Sequence, residues 1–354
     1  MNPKKVLIAM SGGVDSAVAA HQMESHGYTC VGATMQLYCD PNKASTDIAD
    51  ARAVADRIHI PFPVLDFQNE FCDHVIDPVI QSYEQGLTPN PCIQCNRYLK
   101  FDKLLQKALE LGCYYIATGH YARIVFDENS GRYLLKKAAD PDKDQSYVLY
   151  NLTQEQLKHT LFPLGTLTKE QVRSIAREHN FVNAHKQDSQ DICFVPDGDY
   201  ASFMEGYTGK KYPQGNFLDL EGNVVGQHNG AVRYTLGQRK GLGLAMGAPV
   251  YVCRKDMEQN TVTVGPNQAL FATTLLAGNW NWFPFPTLKQ PMEVMARARY
   301  NQKEQPATVY PEANGLARVV FHQSQRALTP GQAVVLYQED TVIGGGTILN
   351  VLSE

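Results

Sequence analysis

Long apolar runs are missing from this chain. No stretch of about 18 consecutive apolar residues occurs, so no membrane-spanning helix is expected. The N-terminus carries no apolar segment with a cleavage site, so no secretory leader is expected and a cytoplasmic location is. A Walker-type loop, G-x-x-x-x-G-K-[ST], is absent, which excludes one common phosphate cradle. Cysteine is present but not as a scaffold. The eight residues include one Cys-x-x-Cys and no second pair, which argues against a disulfide framework and against a closed four-ligand zinc site. Excess positive charge is lacking too, with a net charge of −4. Its distribution says more. Residues 1–209 carry −7, residues 210–260 carry +3 and residues 261–354 are neutral, with Arg297, Arg299 and Lys303 following one another without an acid between them. A polyanionic partner would meet local patches rather than a uniformly basic surface.

What is present begins with Ala9-Met10-Ser11-Gly12-Gly13-Val14-Asp15-Ser16. Val6-Leu7-Ile8 before it reads as a buried strand, and Val14, Val18, Ala19 and Met23 recur at helical spacing. The segment is therefore expected as a strand-to-helix turn. Two glycines let backbone approach a ligand. Open N–H groups at a helix start favour an anion, and Ser11 and Ser16 add hydroxyls. Asp15 beside a phosphate needs a cation, and Mg²⁺ between the carboxylate and the phosphates is the expected one. In this context the string resembles the pyrophosphatase-type loop of the N-type ATP pyrophosphatases, which adenylate a substrate oxygen and release pyrophosphate.

Residues 1–120 alternate strand and helix signals. Residues 30–35, 62–67 and 115–120 read as strands, and 46–58, 69–84 and 101–109 as helices. The cysteine pair falls in a Pro- and Asn-rich loop, 88–96. This order predicts an α/β unit with a doubly wound parallel sheet and ligands at the strands' C-terminal ends, where Ser11, Met35 and Gly119 would lie. A hairpin is expected within 121–150, turning at 127–131. Helix starts with capping boxes follow at Thr153/Gln156 and Thr168/Gln171. Helical signals then fade. The expected division is a nucleotide-binding and catalytic domain over 1–209, a small β-rich domain over 210–269 and a β-barrel-like domain over 270–354. The final strand is expected to be interrupted at Gly344-Gly345-Gly346.

Cys92-x-x-Cys95 and the remote Cys193, in Asp188-Ser189-Gln190-Asp191-Ile192-Cys193-Phe194, stand in polar surroundings. Cys30, Cys72 and Cys113 sit among apolar residues and read as core. SGGVDS, TPNPCIQCN, ATGHYAR, DKDQSY, DSQDICF and TLGQRKGLG occur in one order, and ARARY and TPGQ extend the series toward the C-terminus. The ordered set resembles the bacterial tRNA-specific 2-thiouridylases over nearly the whole chain.

That resemblance implies that ATP adenylates the 2-carbonyl oxygen of the wobble uridine of a tRNA. Sulfur would then enter as a cysteine persulfide delivered by a cysteine desulfurase or a sulfur-relay protein. It implies catalysis by Cys193, which bears the persulfide, and by Cys95, which releases the sulfur and can end in a disulfide with Cys193. Exchange of this kind takes two sulfurs. It implies ATP binding by Ala9, Met10, Ser11, Gly12, Gly13, Val14, Asp15, Ser16, Met35 and Gly119. It puts Asn90, Pro91 and Cys92 around the target base. It puts His120, Lys143, Asp144, Gln145, Arg299, Tyr300 and Gln332 on the tRNA. By residue type alone, Arg299 beside Tyr300 reads as a phosphate contact next to a stacking ring. Cys92 departs from the family pattern, in which many members carry Asp. Cys92, Cys95 and Cys193 would also suit a [4Fe–4S] cluster with one iron open, so persulfide and cluster routes both stand at this point. Two other classes are a different ATP pyrophosphatase-type synthetase and an RNA-binding protein with an inactive loop. No glutaminase-like region is visible for the first, and intact Ser11, Asp15 and Ser16 speak against the second.

Overall fold

The structure is a computed structural model that describes residues 2–37, 41–186, 192–195 and 198–352. The first half contributes β1 (Asn2–Ala9), β2 (Thr29–Gln36), β3 (Val64–Asp66) and β4 (Cys113–Ala117). A hairpin of β5 (Arg123–Asp127) and β6 (Arg132–Lys136) comes next, then β7 (Thr160–Leu161). The parallel sheet runs β3-β2-β1-β4-β7, the doubly wound order expected. On the central strand Val6, Leu7 and Ile8 are fully buried, because helices cover both faces of a parallel sheet. Among the described residues no helix is long and apolar enough to cross a membrane.

The helices that position the site are α1 (Val14–Ser25), α2 (Pro41–Arg57), α3 (68–84), α4 (91–110), α5 (Gln154–Lys158), α6 (Lys169–Glu178) and α7 (Tyr200–Thr208). Both expected capping boxes form, at Thr153/Gln156 and Thr168/Gln171. One expectation is corrected. Cys92 and Cys95 do not lie in a loop; they occupy the start of α4. The side chain of Asn90 caps that helix by accepting from the Cys92 N–H, and Pro91 takes a first-turn position that needs no N–H donor. The helix widens to π geometry from Cys95 to Lys103, a distortion that often accompanies functional sites.

A small central sheet follows, made of β8 (Gly215–Leu218), β9 (Val224–His228), β10 (Tyr251–Asp256) and β11 (Thr261–Gly265) in the order β10-β11-β8-β9. It packs on Phe217, Val252 and Val262. The last six strands are β12 (Phe271–Trp282), β13 (Met292–Arg297), β14 (Gln305–Pro311), β15 (Ala317–Arg326), β16 (Ala333–Gln338) and β17 (Thr341–Leu352). They are antiparallel, and pairing of β12 with β17 closes the barrel. The hairpin β5–β6 joins this sheet through β17 rather than the parallel one. The glycines at 344–346 do not interrupt β17, which runs unbroken through them. A Cβ at Gly345 would lie 2.4 Å from the ring of Tyr150, so the residue keeps room for a side chain from the first domain.

β16 reads as a continuous apolar run because both of its faces are buried. Val334 and Leu336 enter the barrel core, while Ala333, Val335 and Tyr337 join the core of the first domain. Between the domains lies the segment 146–152. Tyr147 Oη donates to the carbonyl of Ala333 at 2.8 Å, and Asn281 Nδ2 donates to the carbonyls of Tyr150 and Leu152 at 2.7 and 2.9 Å. The same segment holds α4, since Asn96 Nδ2 donates to the Val148 carbonyl and Asn151 Nδ2 to that of Ile93.

Candidate active site

The loop after β1 is shaped by backbone crowding. Gly12 has φ +75°, and a Cβ there would lie 2.4 Å from the carbonyl of Asp47; a Cβ at Gly119 would lie 2.8 Å from the backbone of Asp15. Gly13 caps α1 with no side-chain hydrogen bond, which leaves the helix start open to a ligand. Ser16 Oγ donates to the Gly13 carbonyl at 3.0 Å and accepts from the Ser11 N–H at 3.1 Å. Ser11 is exposed, Met10 is packed into the core, and Ala9, Met35 and Gly119 are half-buried around them at strand C-terminal ends.

Asp15 already has protein partners. Lys169 Nζ donates to both its oxygens at 2.7 and 2.8 Å, and Tyr121 Oη donates to Oδ1 at 2.8 Å. A second lysine stands on the other side of the loop. Lys186 Nζ donates to the Gly12 carbonyl at 3.3 Å, to Asp47 Oδ1 at 2.8 Å and to Asp50 Oδ2 at 2.7 Å. Burial disfavours its charged form, but Asp47 and Asp50 outweigh that and hold its pKa above the ordinary lysine value. Asn183 Nδ2 also donates to Gly12, at 3.1 Å. Sequence reasoning missed Tyr121, Lys169, Asn183 and Lys186; the only local signal was the capping box that begins α6 beside Lys169.

The thiols converge. All seven described cysteines are thiols; Cys39 lies outside the described residues, as do Asp188–Asp191 of the segment before Cys193. Cys92 and Cys193 are exposed and Cys95 is buried. Burial pushes the Cys95 thiol up to about 12. Lys100 opposes that, while Cys193 and Cys92 lie close enough to disfavour the thiolate further. Phe194 and Val195, next to Cys193, share a core with Cys95, Phe71 and Leu99, and Phe194 packs edge-on against Phe71 at 5.6 Å. Cys30 and Cys113 are buried, as expected of core thiols, and burial drives the Cys30 thiol up to about 11. Among the described residues no group of three His, Cys, Asp or Glu side chains is placed to hold a metal ion, and no step is derived through a cluster.

The two halves of the site are neighbours, since Phe101 of α4 packs against His120, and His120 directly follows Gly119, just past the end of β4. His120 is itself buried, with its ring against Phe101 at 5.6 Å and Nδ1 2.8 Å from Thr118 Oγ1. Burial, with Lys100 acting the same way, holds its pKa well below the usual histidine value.

Several residues assigned to tRNA have other partners. Asp144 is buried, accepting from the backbone of Ala138 and Ser146 and from Ser146 Oγ, with Arg297 Nη1 at 3.6 Å. Gln145 exchanges hydrogen bonds with Tyr121, its Oε1 accepting from the Tyr121 N–H at 2.9 Å. The stretch Arg297, Arg299, Lys303 is not a basic patch. Arg297 donates to the Tyr300 carbonyl. Arg299 Nη2 donates to the carbonyls of Leu236 and Ala327 and to Thr329 Oγ1, tying the central sheet to the barrel. Of the three, only Lys303 is exposed. A run of basic residues in sequence carries no information about which of them are half-buried. Tyr300 is exposed, and its hydroxyl lies near enough to Asp144, Cys92 and Lys143 to feel their charge. Gln332 donates to the carbonyl of Thr88 at 2.7 Å.

Residues 4–197 match the tRNA methyl transferase HUP domain family, 201–266 the tRNA methyl transferase PRC-barrel domain and 272–348 the aminomethyltransferase β-barrel domain. Over 98% of its length the chain is 49% identical to the tRNA-specific 2-thiouridylase MnmA of Acetivibrio thermocellus, covering 100% of that protein. It is 50% identical over 98% of its length to the enzyme of the same name from Carboxydothermus hydrogenoformans, covering 97% of it. With that of Clostridioides difficile it shares 47% identity over 98% of each chain.

Proposed function

The chain belongs to the tRNA-specific 2-thiouridylase family, and on that footing we propose how its residues divide the work of an ATP-dependent tRNA-uridine 2-sulfurtransferase. The enzyme activates the 2-carbonyl of the wobble uridine with ATP and replaces the oxygen by sulfur. A carbonyl oxygen leaves poorly, and as an AMP ester it leaves well. The open start of α1, Ser11 and Ser16 receive the phosphates, and Lys169 and Lys186 offset the charge that grows as pyrophosphate departs. Mg²⁺ suits this loop, because such an ion is held by one or two carboxylates together with substrate phosphates. Asp15 would hold it, and bound there it would neutralise phosphate charge.

Asn90, Pro91 and Cys92 present the start of α4 to the target base, beside the exposed ring of Tyr300. Exposed Cys193 takes persulfide sulfur from a cysteine desulfurase or a sulfur-relay protein. The terminal sulfur bonds to C2 of the activated uridine and AMP leaves. The Cys95 thiolate, favoured by Lys100 against burial, then attacks Cys193 Sγ. That breaks the S–S bond to the transferred sulfur, leaves thiouridine and joins Cys95 to Cys193. The same reading divides the chain into units of 1–209, 210–269 and 270–354.

The observation that supports this reading is the packing of Phe194, next to Cys193, into the same core as Cys95, on the helix whose Phe101 ring meets that of His120, the residue after Gly119. Cys193→Ser tests it: with ATP and tRNA the variant should release pyrophosphate and form no thiolated base. Thiolation by that variant would refute the assignment.

A further inference from the structure

We propose that Cys92 is the resolving thiol of the cycle: it takes over the disulfide left between Cys95 and Cys193 and so frees Cys193 for the next sulfur. This role rests on the persulfide reading of the function and belongs to the stage after sulfur transfer.

Three thiols meet here in unequal settings. Cys92 is exposed and Cys95 buried, three residues apart at the start of one helix. Residues so spaced on a helix have Cα atoms about 5 Å apart, within the span that a disulfide bridges. Cys193 is exposed on a separate segment, held against the same core as Cys95 by Phe194 and Val195. After one transfer a reductant from solvent could reach Cys193 Sγ but not the buried Sγ of Cys95. Attack there would leave the reductant bonded to the very sulfur that must be reloaded.

Cys92 offers a different route. Its thiolate attacks Cys95 Sγ; the Cys92–Cys95 bond forms, the Cys95–Cys193 bond breaks and Cys193 departs as a thiolate. No net oxidation occurs in this exchange. The two-electron oxidation left by transfer now resides in the Cys92–Cys95 pair. A dithiol reductant clears it by attacking exposed Cys92 Sγ, then closing its own disulfide while Cys92 and Cys95 regain protons. Burial, which keeps Cys95 protonated until it is called on, also directs the incoming reductant to Cys92.

The test compares full-length wild type with Cys92→Ser, each supplied with ATP, tRNA, a persulfide donor and a dithiol reductant. First-turnover and steady-state thiolation rates are measured on the same preparation, which removes any effect of Cys92 on base binding. The ratio of steady-state to first-turnover rate should fall about tenfold or more in the variant. Peptide mapping of acid-quenched enzyme under non-reducing conditions should show Cys92 joined to Cys95 in wild type and Cys95 joined to Cys193 in the variant. An unchanged ratio, or a wild type that never forms the Cys92–Cys95 bridge during turnover, overturns the proposal. A wild type that forms no thiolated base at all would instead refute the function on which it rests.

Discussion

Gln332 of the barrel donates its side-chain N–H to the carbonyl of Thr88 at 2.7 Å, two residues ahead of the Asn90 cap of α4. Thr88 in turn donates its backbone N–H to the carbonyl of Pro330 at 3.0 Å. The last domain thereby sets where Asn90, Pro91 and Cys92 of the first domain stand.

Gln332→Ala should therefore act through position. The lost hydrogen bond is worth about 1 kcal/mol, so Tm should fall by only a few degrees. Thiolation should drop further, by about tenfold, because a small displacement of reacting groups is costly in rate. Thermal melts and thiolation assays on one preparation decide it: equal, minor losses in both would mean that the clamp does not aim the loop.

Lys169→Met should abolish ATP activation while sparing tRNA. Removing a charge that neutralises Asp15 and the phosphates should slow pyrophosphate release by about a hundredfold or more. tRNA affinity, measured by filter binding, should change less than about twofold. Lys169→Arg should recover part of the loss, since it restores the charge but spreads it over a planar guanidinium that cannot reproduce the ammonium's contacts.

The sequence made the nucleotide loop legible because its working parts are contiguous: Ser11, the two glycines, Asp15 and Ser16 lie within six residues, between a strand and a helix that announce themselves by period. Its lysines were not legible. Lys169 meets Asp15 across 154 residues and Lys186 meets Gly12 across 174, and no local pattern marks such a meeting. The thiols were found by type, but their inequality is a product of burial. The partners of Arg299 were not legible either, because a guanidinium that donates to Leu236, Ala327 and Thr329 looks, in sequence, like one that faces only solvent. The glycines of β17 were misjudged for a related reason: the feature that explains Gly345 is the ring of Tyr150, nearly two hundred residues earlier.

His120 should make stability depend on pH. Unfolded, it titrates near the ordinary value of about 6.5; folded, burial lowers it well below that. The unfolded chain therefore binds the extra proton first, so stability is full above about pH 6.5 and is lost as pH falls below it. His21 and His228 are lowered by burial too and push the same way. His120→Asn should consequently show a smaller drop in Tm between about pH 7.5 and about pH 5.5 than wild type does. Parallel curves would contradict the burial argument.

Gly345→Ala should destabilise the junction of the domains. Its methyl would meet the Tyr150 ring at 2.4 Å, where the side chain is packed on all sides. Overpacking of this kind costs about 1–3 kcal/mol, visible as a lower denaturant midpoint. Pairing it with Tyr150→Leu should recover part of the loss by making room, and strict additivity of the two changes would show that they do not share this contact.

The pairing of β6 with β17 has a consequence for the order in which a ribosome delivers this chain. The loop at Ser11 emerges early and its parallel sheet can form from the first 161 residues. The strand that closes the barrel, partners the hairpin and accommodates Tyr150 emerges after all the others, just behind Gln332. A nascent polypeptide thus carries a nucleotide loop long before it carries anything to aim the cysteine helix. The exposed faces of Tyr147 and Tyr150 would be ready ligands for holding chaperones in that interval, and a tRNA would meet an assembled active site only once β17 had cleared the exit tunnel.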